Sequence, residues 1–266
     1  MSELHPYEVD LLCTYAEVEP PFPLEVPSSG TTDVERSVVF QAALQTLEAR
    51  GLANEGGPLG LAEEFVRLLR DRGGALDVVV VDEKSTTRAV AMVDGHTALL
   101  AVQRSDEEDE VVRLRSMPID RAVDALVRLV PDVEQAGSSP ISVPLRALRA
   151  AEAEMARRIE DGEAFREAEL PDLLEHNGVD ERVLRRMIAH LQPVLGQGQL
   201  GASKPNGLHG EDREDVRFGA ELSWLDTPRG RYKVSQDGEW VSANPLARED
   251  VRNAVRRLLA PLRREG

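Results

Sequence analysis

The sequence predicts an α+β fold of two similar halves, related by a quasi-two-fold axis around an antiparallel β-sheet with flanking helices. Three observations predict it. The order of elements (helices, then three or four strands, then a closing helix) occurs twice along the 266 residues. Landmarks recur at nearly one spacing. Leu47-Glu48-Ala49-Arg50-Gly51-Leu52 answers Leu174-Glu175-His176-Asn177-Gly178-Val179, and Met117-Pro118 answers Asn244-Pro245, each 127 positions later. In the closing helices Val123, Val127 and Val130 fall on Val251, Val255 and Leu258 at a spacing of 128. The strands are joined by short turns such as Asp94-Gly95, a two-residue hairpin signal that implies antiparallel pairing.

Taken in order, Tyr7 to Tyr15 alternates loosely and runs into Pro20, Pro21, Pro23 and Pro27, which hold residues 19–27 extended. Thr32-Asp33-Val34-Glu35 is a capping box that opens a helix to about Arg50. Val38, Ala42, Leu44 and Leu47 form its expected buried face, and Gly51 ends it. A second helix covers about Gly60 to Arg72, with Leu61, Phe65, Leu68 and Leu69 on one side. Strands follow at Leu76 to Val81, Arg88 to Val93, Thr97 to Arg104 and Val111 to Met117, and a helix from Ile119 to Val130 closes the half. Residues 131–144, with three prolines and no periodicity, read as a connector. The expected division is therefore 1–134, a linker at 135–144, and 145–266. The second half places helices at Leu145 to Ile159, Leu170 to His176 and Glu181 to Leu191. Its strands fall at Gln199 to Ser203, Val216 to Leu225, Arg231 to Gln236 and Glu239 to Ala243. Asn244 as N-cap and Pro245 at the first helical position start a last helix that ends at Leu262.

Composition narrows the function. With 32 Lys and Arg against 48 Asp and Glu, the net charge of −16 is the wrong sign for a duplex or RNA binder and for an anionic membrane surface. The single cysteine, Cys13, can form neither an internal disulfide nor a multi-cysteine zinc site, and its apolar neighbours Leu11 and Leu12 point to a buried, inert thiol. No run approaches the roughly 18 apolar residues of a spanning helix, and the acidic N-terminus is unlike a signal peptide. The expectation is a cytoplasmic protein. Only three of the basic residues are lysines, as in the products of GC-rich genomes.

Catalytic motifs are missing. Gly196-Gln197-Gly198-Gln199-Leu200-Gly201 matches the dinucleotide-binding letters, but a helix precedes it and no helix follows, so it reads as a helix-to-strand turn. The five histidines include no i, i+4 pair, and there is no nucleophile elbow or phosphate loop. No catalytic residue, metal or cofactor is expected. Trp224 and Trp240 both read as core residues. The acidic insertion Ser105 to Glu110 and the polar stretch Lys204 to Glu214 are the exposed loops with most charge.

Two groups of residues carry a family resemblance. The first is the acidic-aliphatic segment Glu8 to Leu12, the proline-rich Pro20 to Pro27, and Glu35-Arg36 leading to Leu47 and Gly51-Leu52. The second is Gly198-Gln199-Leu200-Gly201, then Trp224-Leu225-Asp226-Thr227-Pro228-Arg229-Gly230-Arg231-Tyr232, then Gly238-Glu239-Trp240-Val241. Together they resemble the EspG family, the ESX (type VII) secretion-associated chaperones of actinobacteria. The resemblance implies two quasi-symmetric halves around an antiparallel sheet, with a helical bundle. It implies a cytosolic, non-enzymatic chaperone whose partner is a helical secreted protein or heterodimer of the PE–PPE or WXG100 type. The client's exposed apolar tip would be covered by the sheet and the C-terminal bundle. Client choice would then fall to Arg104, Asp106, Glu107 and Glu108 in one loop, and Lys204, Asp212 and Arg213 in the other. The alternative is an adaptor or regulatory protein-binding domain that uses the same fold.

Overall fold

Local signals set most of the elements. His5 caps the first helix by accepting the Tyr7 N–H at 3.2 Å, while Glu8 reaches back to the His5 N–H at 2.8 Å and Pro6 takes the first helical position. The computed structural model describes residues 1–162, 166, 169–206 and 214–263. In chain order the elements are β1 (Ser2–Leu4), α1 (Pro6–Ala16), α2 (Asp33–Ala49), β2 (Ala53–Asn54), β3 (Gly57–Pro58) and α3 (Leu61–Asp71). Then come β4 (Gly74–Asp82), β5 (Thr86–Asp94), β6 (Thr97–Arg104), β7 (Val112–Pro118) and α4 (Ile119–Leu129). The chain continues with β8 (Ile141–Pro144), α5 (Leu145–Glu160), α6 (Leu170–His176) and α7 (Glu181–Leu191). It ends with β9 (Gly196–Asn206), β10 (Glu214–Arg217), β11 (Leu222–Thr227), β12 (Gly230–Asp237), β13 (Trp240–Pro245) and α8 (Arg248–Leu259).

Contacts divide the chain into two units. The first comprises Met1–Pro131, Gly198–Glu221 and Arg252–Gly266, the second Asp132–Gln197 and Leu222–Val251. In the first unit the strands lie in the order β1-β7-β6-β5-β4-β9, with β10 antiparallel to β9. Asp94 pairs with Thr97, so Gly95 and His96 form the tight hairpin loop expected there. The core of this unit joins Leu12, Leu47, Phe65, Leu68 and Leu69 of the helices to Val90, Met92 and Leu99 of the sheet. In the second unit the strands run β11-β12-β13-β8, each neighbouring pair antiparallel. The α5–α7 bundle packs on the face that carries Val143, Tyr232, Val241 and Ala243. The molecule is α+β and built on antiparallel strands, as the sequence implied.

The repeated landmarks adopt the same local geometry. Gly51 and Gly178 both have positive φ, +68° and +85°. Behind them the Leu52 N–H donates to Leu47 O at 2.9 Å and the Val179 N–H donates to Leu174 O at 3.1 Å, the long bond of a Schellman cap. Leu47 and Leu174 are both fully buried. The spacing of 127 therefore matches two helix ends, each plugged by a buried leucine. Val123, Val127 and Val130 are buried, as are Val251, Val255 and Leu258.

Several expectations need correction. Residues 6–16 form α1 rather than an alternating segment. Its apolar period is interrupted by Glu8 and Asp10, which are buried because Arg50 and Arg36 pair with them. On α2 the buried residues are Ala43 and Leu47, while Val38 and Ala42 face solvent. Residues 141–144 of the expected connector are strand β8. The expected strand from Val216 to Leu225 is two strands, β10 and β11, with Gly219 between them at φ +71°. The glycine-rich Gly196 to Gly201 lies inside β9 rather than in a turn. The last helix starts at Arg248, because Asn244 and Pro245 still pair with Lys233 and Tyr232 in the sheet. Trp224 is core, but Trp240 is 51% exposed.

Candidate functional site

The strongest sequence landmark proves to be structural. Thr227 and Gly230 close the β11–β12 hairpin, and Thr227 Oγ1 lies 3.0 Å from the His190 carbonyl and 3.1 Å from that of Gly230. Gly230 sits at φ +111°, and a Cβ there would come within 2.7 Å of Ala136 N and Glu134 O. Only glycine lets residues 134–136 run alongside. Arg231 is fully buried and donates from Nε and Nη2 to the two oxygens of Asp226, at 2.6 and 2.7 Å. Its guanidinium lies 5.5 Å from the Trp224 ring centre. Tyr232 ends the motif with its hydroxyl 2.8 Å from Ser138 Oγ. Gly201 has a similar reason to be glycine, since a Cβ there would overlap the Arg217 guanidinium. That guanidinium lies across β9 to bond Asp77 at 3.1 Å and Glu221 at 2.8 Å. Burial pushes the Asp77 carboxyl above its ordinary pKa, an effect that the bonds from Arg217 oppose.

The residues expected to choose a partner are placed as follows. Arg104, at the end of β6, chelates Asp106 at 3.0 and 3.1 Å, and these bonds hold the Asp106 carboxyl below its usual range. Glu107 is bound by Arg113, which also bonds Glu3 at 2.9 Å. The acidic insertion is thus folded onto its own arginines. Lys204 is in strand β9 rather than a loop, with its ammonium 5.1 Å from the Phe218 ring centre. Asp212, Arg213 and the Glu108 side chain lie outside the described residues. Among the described residues, Lys204 and Arg104 are not brought together. A Cβ on Gly74, at one end of β4, would meet Ser203 O, whereas Arg104 pairs with Thr87, which pairs with Val80 toward the other end. Six residues of strand separate these points, about 20 Å.

A different surface stands out, one that charge and motif reading missed. Among the described residues, the core of the α5–α7 bundle is small: Ala147, Ala151, Leu174, Val179 and Leu184 over Val143. Around it Leu148, Leu170, Leu173, Val183 and Met187 are only half-buried, while Ile159 and Ile188 are exposed. A bundle this thin leaves apolar side chains at its surface. The signal lay in the sequence of α5, LRALRAAEAEMARRIE, whose alanines cannot fill a deep core. Trp240 alternates with Val241 and therefore lies on the opposite face of β13 from the bundle.

Cys13 is buried, with its thiol pushed up to about 12 first by desolvation and then by Asp10 and Glu19. Among the described residues no cluster of three or more His, Cys, Asp or Glu could hold a metal ion. No helix among them is long and apolar enough to cross a membrane.

The family model for EspG matches residues 5–257. The chain belongs to the EspG family. The match spans both units, which agrees with landmarks that proved to be turns and buried pairs of the fold. No curated protein sequence matches. Among solved structures, the chain is similar to the Mycobacterium tuberculosis type VII secretion system chaperone EspG5, determined in complex with a PE25–PPE41 dimer. The likeness has a TM-score of 0.62 and covers 97% of this chain and 95% of that one, at 10% sequence identity. Such identity establishes a shared fold, and this EspG-family member shares it from end to end.

Proposed function

We propose that this EspG-family protein is a non-enzymatic cytoplasmic chaperone for a helical type VII secretion client, a heterodimer of the PE–PPE kind or a WXG100-like hairpin pair. It would keep the client's apolar tip from aggregating and present it to the secretion machinery. Family membership over residues 5–257 and a fold shared with a chaperone solved on such a dimer support this reading.

The observation that carries it on this chain is the bundle's incomplete cover among the described residues. Half-buried Leu170, Leu173, Val183 and Met187, with exposed Ile188, offer apolar area that another helix pair can bury. The −16 charge then keeps the complex soluble while this surface is engaged.

Co-expression tests the proposal. A type VII helical pair from the same organism should be insoluble or aggregated alone, and soluble as a co-purifying complex with this chain. A pair that is soluble alone and never co-purifies would leave the adaptor alternative standing in its place.

A further inference from the structure

Two hollows of the first unit, of about 780 and 310 Å³, share Pro21, Phe22 and Asp215 as a wall. Both are acidic. Asp10, Glu17, Glu19 and Asp215 line the first against Arg36 and Arg72, and Asp77, Asp215 and Glu221 line the second against Arg217. Each of these arginines is already engaged: Arg36 with Asp10, Arg72 with Asp215, and Arg217 with Asp77 and Glu221. Glu17 and Glu19 are exposed and have no ion pair among the described residues. Arg70, on α3, donates to the carbonyls of Tyr15 and Ala16 just before them rather than to either carboxylate.

Two buried groups feel this excess. Burial comes first in raising the Cys13 thiol, and Asp10 and Glu19 push it further up. Burial also comes first at Asp77, opposed by Arg217, and there Glu221 and Asp215 push the same way as burial. The other walls are apolar. Buried Leu69 closes the first hollow, and buried Ala75 and Val90 close the second. Phe22, in the shared wall, is 59% exposed. A ring beside unpaired carboxylates can take a cation on its face, as it already takes Arg217 at 5.3 Å from its centre.

We propose that these two hollows form a docking site for a basic segment of a partner protein in which arginine or lysine stands beside apolar residues. The basic side chain enters the first hollow, against Phe22 and the carboxylates of Glu17 and Glu19. The excess of acid sets the sign of the partner. The buried apolar floors call for more than a free cation, namely a leucine-like side chain next to the basic one.

The probe is a fluorescein-labelled peptide of about ten residues, roughly 33 Å when extended, built of Arg-Leu pairs spaced by Gly-Ser. Fluorescence anisotropy with the full chain should show binding that weakens as salt rises. Glutamate in place of arginine should abolish it, and serine in place of leucine should weaken it. The variant E17N/E19Q should lose about fivefold, as expected for two exposed ion pairs, and its binding should depend less on salt. Asparagine suits the left-handed cap that Glu17 occupies, so the fold should hold; E19Q alone carries the same test with a smaller loss. Phe22→Ala should weaken binding with the salt dependence kept. E48Q/E55Q removes the same charge from exposed positions that line neither hollow, and should bind as the parent does. No binding of the arginine peptide overturns the proposal. So does equal binding of the serine peptide, or an equal loss in E48Q/E55Q. Binding indifferent to E17N/E19Q and F22A, in proteins of unchanged circular dichroism, overturns it as well.

Discussion

Arg231 and Asp226 provide the sharpest test of the claim that the family landmark is a structural device. Arg231 has no solvent exposure and Asp226 has 6%, and the two share a bidentate bond. Arg231→Met removes the cation and leaves a buried carboxylate without its partner, a change that costs about 3–5 kcal/mol. For a chain of this size that is a fall in melting temperature of roughly 6–20 °C. Replacing both residues, Arg231→Met with Asp226→Leu, removes the unpaired charge and should recover most of the loss. Thermal and urea unfolding of the four proteins in the cycle measure the coupling. A cost below about 1 kcal/mol for Arg231→Met alone, or a double variant that loses as much as the two single variants together, would mean that the pair is not a coupled structural unit. Client binding by the folded fraction should be unchanged in all four, because neither side chain reaches the surface.

Other perturbations separate structural from surface residues. Gly230→Ala should destabilise by more than the 1–2 kcal/mol or so of a positive-φ residue, because its Cβ also meets backbone at residues 134 and 136; a urea midpoint checks this. Trp224→Ala should cost about 3–5 kcal/mol, whereas Trp240→Ala, half in solvent, should shift the same midpoint little. Ile188→Asp on exposed α7 should leave stability nearly intact and weaken the client complex by titration calorimetry. The Glu35 carboxyl is held below its ordinary pKa chiefly by bonds from Thr31 and also from Thr32, so its contribution is present above the unfolded pKa and lost as pH falls through the folded one. Glu35→Gln should therefore melt lower than the parent near neutral pH, with the gap closing as pH drops below about 4.

What could be read from sequence was what local chemistry decides. The capping box at Thr32, the glycine ends at Gly51 and Gly178, and the limits of α6 and α7 depend on neighbours a few residues away. Elsewhere distant partners decide. Glu8 and Asp10 broke the apolar period of α1 because Arg50 and Arg36, dozens of residues on, allow them to be buried. Pro245 stayed in the sheet because Tyr232 lies opposite it. Trp240 was exposed because the bundle covers the other face of β13.

The candidate site was harder for the same reason. Arg104, Asp106 and Glu107 are conspicuous in sequence, yet Arg113 and Glu3 join them in a closed set of ion pairs. The bundle surface carries no motif. It follows from alanine-rich α5 packing thinly against α6 and α7, which is visible only once the three are assembled.

Hydrogen–deuterium exchange on the client complex shows directly whether the client binds the α5–α7 bundle. Adding the helical pair should protect amides of α5–α7, residues 145–191, relative to the free protein. A complex that forms while exchange across those helices stays unchanged would contradict binding there.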